Sequence, residues 1–501
     1  MTSVQNTSQK HFNVVIAGSG FSGLGAAIRL KQEGFDDLVI FERSHEVGGV
    51  WRDNSYPGAA CDVESHLYSF SFAPNPRWSH AFSRQPEIFA YLRECAHTYG
   101  LLKDIRFNTS VKEAAWDQAS QRWVIETTAG TVTANFFIPA IGLLSEPQLP
   151  NIPGLDRFQG RMFHSARWQH DYDLTGRKVA VIGTGASAVQ FVPEIQPKVE
   201  KLLLFQRTPA WVLPRWDEEF SEQQKARYES MPLLQKLVRG SIYLRRELFV
   251  LGFRNPNVMR QLVERFALRY LEQTVTDPVL RQKLTPNFRI GCKRILITAG
   301  YLPALTQPNV DVITHGIREV RERSIVTDDG VEHPVDTIIF GTGFHVMDVP
   351  FADHVRGREG RTLSEVWAGS PAAHLGTMIA GFPNLFFLMG PNTGLGHTSV
   401  LLMLESQLNI VLGALQHLRK RKLSALEPLQ AAQDRFFAWV QNDAKGTVWT
   451  AGGCASWYLD ANGKLTSLWT RTTWAFRKRA QFRPQEYALQ APASPQLEAA
   501  E

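Results

Sequence analysis

The chain predicts an α/β fold made of two Rossmann-like dinucleotide-binding domains, with an α-helical insertion in the second. Three observations predict it. Two glycine-rich loops each follow an apolar strand and open a helical run. Each loop is followed, 24 positions after its first Gly, by a charged residue, acidic in one unit and basic in the other. A glycine-poor stretch with Leu, Arg and Glu at helical spacing then runs from about residue 215 to 285.

In the first unit, Phe12 to Ala17 reads as a buried parallel strand. Gly18-Ser19-Gly20-Phe21-Ser22-Gly23 opens a helix expected from Phe21 to Glu33, closed by Gly34. Asp37 to Phe41 gives the next strand, ending at Glu42. A carboxylate there accepts hydrogen bonds from a free ribose 2′-hydroxyl, so this unit predicts FAD or NAD. Gly18, Gly20, Ser22 and Gly23 are expected to offer backbone and hydroxyl donors to the pyrophosphate at the helix N-terminus. Arg122 to Thr128 and Thr131 to Ile138 read as a hairpin around Ala129-Gly130.

Pro147, Pro150 and Pro153 mark a boundary near residue 150. Lys178 to Ile182 then opens the second unit, with the loop Gly183-Thr184-Gly185-Ala186-Ser187-Ala188 and a returning strand from Leu202 to Phe205. The position matching Glu42 is Arg207, whose guanidinium suits a 2′-phosphate, so this unit predicts NADP. Thr184, Gly185, Ala186, Ser187 and Gln190 are expected on its pyrophosphate side, and Ala188 is a permitted replacement for the last Gly. Asp336 to Phe344 is an apolar strand running into a glycine turn, read as the return to the first domain and as backbone passing close to a dinucleotide. The expected division is a FAD domain in two parts, 10–150 and 334–480. A NADP domain over 151–333 carries the insertion at about 215–285, and a disordered Pro- and Gln-rich tail covers 481–501.

Composition narrows the class. With 501 residues, 44% hydrophobic and 20% charged, the chain is globular and too long for one ordinary domain. Its net charge of +6 comes without a block of like charges, which argues against nucleic acid. The Arg-rich insertion is read as solvated helix surface, not as a membrane patch. Cys61, Cys95, Cys292 and Cys454 fall in no metal-binding or C-x-x-C spacing and are expected as reduced thiols. A polar N-terminal segment and the lack of any run of 18 apolar residues predict a soluble, cytoplasmic protein without stable membrane association, a monomer or weak homo-oligomer. No metal constellation is expected.

Two further fingerprints identify a family. Phe158-Gln159-Gly160-Arg161-Met162-Phe163-His164-Ser165-Ala166-Arg167-Trp168 resembles the F-x-G-x-x-x-H-x-x-x-W motif of Baeyer–Villiger monooxygenases, departing only at the following Gln169. Gly48-Gly49-Val50-Trp51, Tyr56-Pro57-Gly58 and Asp62 resemble a second motif of that family, and the likeness runs from about residue 10 to 480. The resemblance implies a flavoprotein in which NADPH reduces FAD, O2 adds to the flavin C4a as a peroxide, and one oxygen enters beside a ketone carbonyl. The expected partners are then a small ketone and O2.

The resemblance also implies residue roles. Arg294 falls where the family keeps a cation beside the reacting oxygen, with Asp62 against it; their types alone allow a structural ion pair. Lys293 and Thr208 would join Arg207 at the 2′-phosphate. Val50, Trp51 and Tyr68 would line the flavin, although their types suit a core equally, and Val111 would lend backbone to the adenine. His164 is read as a hinge histidine that holds backbone, not as a general base. Gly390 to His397 is a glycine turn expected near the flavin ring, and Cys454 to Tyr458 resembles a segment covering the substrate, in which Trp457 suits cofactor contact or core. Oxygenation of nitrogen or sulfur by a related flavoenzyme is the alternative. A disulfide reductase is rejected because Cys61 lacks a nearby partner, and nothing in the sequence favours a catalytically silent sensor.

Overall fold

A computed structural model describes residues 10–346 and 350–492. The strands of the first βαβ unit are β1 (Lys10–Ala17) and β2 (Leu38–Phe41), joined by the helix Phe21–Gln32. They form where expected because Val14–Ala17 and Leu38–Phe41 are continuous apolar, buried runs, as a parallel sheet covered on both faces requires. The helix ends where Gly34 turns into the left-handed region at φ 73°.

β3 (Ile105–Arg106), β4 (Val111–Asp117), β5 (Arg122–Thr127) and β6 (Gly130–Pro139) complete most of the first sheet. Its order is Val355–Arg356, β4, β5, β6, β1, β2, β3, with β1 parallel to both neighbours. The second sheet holds five parallel strands. From one edge they are Val310–Ile313, β9 (Lys201–Phe205), β8 (Lys178–Ile182), Thr337–Phe340 and β7 (Arg161–His164). Both glycine loops therefore leave the carboxyl end of a central strand, where open α/β sheets bind ligands.

Two expectations change. Thr337–Phe340 belongs to the second sheet, paired with β8 and β7, so the return to the first sheet comes later, at Val355–Arg356 on β4. A fully buried apolar strand can be read from sequence; the sheet it joins cannot. Of the tail, residues 481–492 are ordered. Tyr487–Gln490 pairs antiparallel with Ala425–Pro428, and Tyr487 is buried against the first core. The expectation for 493–501 lies outside the described residues.

The two connections between the sheets run side by side. The Gln148 N–H donates to the Gly343 carbonyl at 2.9 Å, and Thr342 Oγ1 donates to the Gln148 carbonyl at 2.5 Å. The insertion comprises the helices Glu222–Ser230, Pro232–Arg254, Arg265–Thr274 and Pro278–Leu284, with a π-turn at Met259–Glu264. Among the described residues no helix is long and apolar enough to cross a membrane.

Candidate active site

A cavity of about 1960 Å³ lies between the two glycine loops. Gly18, Gly20, Ser22, Glu42, Val50, Trp51, Asp62, Tyr68 and Val111 line it from the first half of the chain. Gly183, Thr184, Gly185, Ala186, Ser187, Gln190, Arg207, Thr208, Lys293 and Arg294 line it from the second dinucleotide unit and the chain that follows it. Of the expected site residues only Gly23 is not in the wall. A Cβ there would stand 1.9 Å from the Gly18 carbonyl oxygen, so this glycine lets the helix close onto its own loop. A Cβ on Gly49 would come within 3.1 Å of Gly20 Cα, so the two turns meet through bare backbone. A dinucleotide phosphate needs that kind of cradle.

Glu42 is buried at the tip of β2. Its Oε2 accepts from the Ser19 N–H at 2.9 Å and from Ser19 Oγ at 2.6 Å, which pins the first loop. Its Oε1 accepts from the Ser44 N–H and from Arg52. Trp51 Nε1 donates to the Tyr68 hydroxyl at 3.0 Å, with the rings edge to face. In the second unit, Thr184 Oγ1 donates to the Thr208 carbonyl at 3.1 Å, binding the glycine loop to the segment after β9. Burial, and after it the charge of Arg207, lowers the pKa of Lys293. Two cations lining the same cavity suit a phosphate.

Asp62 and Arg294, 232 residues apart, meet in the cavity wall. Nε and Nη2 of Arg294 both donate to Asp62 Oδ2, at 2.9 and 2.5 Å. Burial works against ionising Asp62, but the guanidinium outweighs it and holds the carboxyl below its usual range. The same carboxylate raises Arg294 further, and 37% of the Arg294 side chain remains accessible from the cavity. Tyr458 stands beside it, its phenol pushed up to about 12 by burial despite the Arg294 charge.

Behind this wall stand contacts that the sequence did not disclose. Glu64, two residues beyond Asp62, accepts from Arg245 at 2.6 Å and from Arg246 at 2.7 Å, and Arg246 also reaches the Asp62 carbonyl. Arg239 donates to the His66 and Leu67 carbonyls. The long helix of the insertion thus clamps the loop that carries Asp62. The Arg245-Arg246 pair was visible in the sequence, but its partners were not. Gln190 ties the halves together, accepting from the Tyr56 hydroxyl at 2.9 Å and donating to the Ala60 carbonyl at 2.9 Å.

His164 is buried, its Nδ1 accepts from the Ala166 N–H at 3.1 Å, and burial takes its pKa down to about 4. It holds backbone as a neutral ring. Trp168 packs on Phe163 and Phe191 in the core of the second sheet. Gly394 and Leu395, from the late glycine turn, and Ala455, Ser456 and Trp457 also line the cavity. Trp457 is 45% exposed and leans on Tyr458 at 4.5 Å, so it is not a core residue.

The cysteines correct the expectation of free thiols. Cys292 and Cys454 form a disulfide across 162 residues, while Cys61 and Cys95 are free and buried. No local spacing signals a bond between loops so distant in sequence. Among the described residues no cluster of His, Cys, Asp or Glu could hold a metal ion.

A family model described as flavin-binding monooxygenase-like matches residues 10–358. A Baeyer–Villiger monooxygenase of Streptomyces coelicolor is 54% identical over 94% of this chain and 91% of its own length. One from Pseudomonas aeruginosa is 51% identical over 93% and 89%. Among solved structures, a steroid monooxygenase bound to NADP has a TM-score of 0.84 at 32% identity, covering 96% of this chain and all of its own. A cyclohexanone monooxygenase has a TM-score of 0.86 at 28% identity, covering 97% and all of its own. With both dinucleotide loops and the Asp62–Arg294 pair in one cavity, the chain belongs to the flavin-binding monooxygenases and, within them, to the Baeyer–Villiger group.

Proposed function

We propose that the chain uses NADPH, FAD and O2 to insert one oxygen atom beside the carbonyl of a small ketone, giving an ester or lactone. We further propose that Arg294 is the catalytic cation and Asp62 its positioning partner. The observation that carries this reading is the Asp62–Arg294 pair, set in the wall of the cavity that both glycine loops open onto. When bound, FAD supplies the redox chemistry that activates O2.

The chain's own residues have distinct tasks. Gly18, Gly20 and Ser22 cradle the FAD pyrophosphate, and Glu42 shapes the loop and faces the ribose. Val50, Trp51 and Tyr68 offer apolar and edge-on aromatic walls to the flavin. Thr184, Gly185, Ala186, Ser187 and Gln190 receive the NADP pyrophosphate, while Arg207, Thr208 and Lys293 receive its 2′-phosphate.

Arg294 keeps its charge at any working pH. A fixed cation in a partly water-excluded wall stabilises negative charge that develops on oxygen during attack on the carbonyl. Asp62 holds the guanidinium through Nε and Nη2, so its orientation is set before substrate enters. Tyr458, kept neutral, offers a hydroxyl beside it.

The test is NADPH oxidation by the FAD-loaded enzyme under O2, with a panel of ketones and product analysis. Ketone-dependent acceleration with ester formed in step with NADPH consumed supports the reading. NADPH consumption that ends in hydrogen peroxide whatever ketone is present overturns it. Acceleration by amines or sulfides alone reassigns the chain to nitrogen or sulfur oxygenation.

A further inference from the structure

The long helix Pro232–Arg254 shows solvent a face unlike the one its charged residues suggest. Leu233, Leu237, Leu244, Leu248 and Leu251 are each between 58% and 70% exposed. Their spacings of four, seven, four and three residues place them within about 60° on a helix of 3.6 residues per turn, as a stripe roughly 27 Å long. Ile242, Val250 and Phe253 are buried on the opposite side. Soluble surfaces carry scattered leucines, but a continuous stripe marks a docking face. Trp216, Leu262 and Phe266 are exposed elsewhere in the insertion, with the Trp216 and Phe266 rings 6.0 Å apart.

The charge of this region fixes what it can dock on. Residues 231–269 hold eight Lys and Arg against two Glu, an excess equal to the net +6 of the whole chain. Both Glu are committed inward: Glu247 is buried and accepts from Thr473, and Glu264 faces Arg289. Arg245 and Arg254 are paired with Glu64 and Asp443. Lys236, Arg260, Arg265 and Arg269 are exposed and form no ion pair among the described residues.

We propose that this face docks reversibly on an anionic lipid surface, with the leucine stripe in the headgroup boundary and the four unpaired cations over acidic headgroups. An exposed leucine stripe beside unpaired Lys and Arg, with no membrane-spanning helix among the described residues, suits an interfacial surface. A second copy of the chain is the less favoured occupant, because a two-fold contact would bring the cationic excess against itself.

The test is co-sedimentation of the FAD-loaded full chain with phosphatidylcholine vesicles, with and without phosphatidylglycerol. Expected is binding only to the phosphatidylglycerol vesicles, weakening steeply with salt. Each of Lys236→Gln, Arg260→Gln, Arg265→Gln and Arg269→Gln should weaken binding about fivefold. The combined Leu237→Gln/Leu244→Gln/Leu248→Gln variant should lose it while keeping its rate on a soluble ketone, which shows that it is folded. No binding to the anionic vesicles, equal binding to both kinds, or binding indifferent to the leucine variant overturns the proposal. So does a wild-type dimer, seen by sedimentation, that the leucine variant dissolves in the absence of any vesicle binding.

Discussion

Arg294 has 37% of its side chain accessible and is held by one carboxylate oxygen, so removing it deletes a charge without emptying a core. Arg294→Ala should lower ketone turnover by about 10²–10³-fold while NADPH oxidation continues, with peroxide as the product; product chromatography beside a peroxide assay separates the two. The buried histidines give a second expectation. Burial, helped for His66 by Arg239, takes both His66 and His164 down to about 4 from 6.5. Between those values the unfolded chain binds protons that the folded chain refuses, so stability should fall as pH drops from about 6.5 to about 4. His66→Gln should make that fall shallower in chemical denaturation. Asp62 acts lower on the scale: its depressed pKa contributes stability above the ordinary carboxylate value, and this is lost as pH falls through the depressed one.

At the scale of elements, the glycine loops were the most legible part of the chain, because strand, loop and helix lie within about thirty residues and the physics is local. The same locality explains the limits. Glu42 and Arg207 could be located by counting from their loops, whereas the clamp of Glu64 by Arg245 and Arg246 joins elements about 180 residues apart, beyond any periodicity. Thr337–Phe340 was legible as a strand but was assigned to the wrong sheet, since apolar composition does not specify a neighbour. Two variants probe these elements. Gly23→Ala would force a methyl onto the Gly18 carbonyl and should yield protein that retains little flavin, read from visible absorbance after desalting. Arg207→Ala removes one of the two cations proposed to receive the 2′-phosphate. It should raise KM for NADPH roughly ten- to hundredfold and leave KM for NADH nearly unchanged.

At the scale of the whole molecule, the site exists only where the two halves meet, with Asp62 from one and Arg294 from the other and Gln190 stitching them through Tyr56 and Ala60. The sequence supplied both members through family resemblance, but not the covalent link that stands two residues before Arg294. The Cys292–Cys454 bond joins the loop carrying that cation to the segment whose Ala455, Ser456 and Trp457 wall the cavity, and the Arg289 N–H bonds the Gly452 carbonyl alongside it. Closing so long a loop constrains the unfolded chain by roughly 4–5 kcal/mol in the chain-entropy view, so Cys454→Ser should melt earlier than the oxidised wild type and match the reduced one. The enzyme draws electrons from NADPH, and the surrounding thiol pool decides separately whether its cover is bolted or hinged. Preparations made with and without a thiol reductant would then be two catalysts of identical sequence, told apart by how much peroxide each leaks while turning over a ketone.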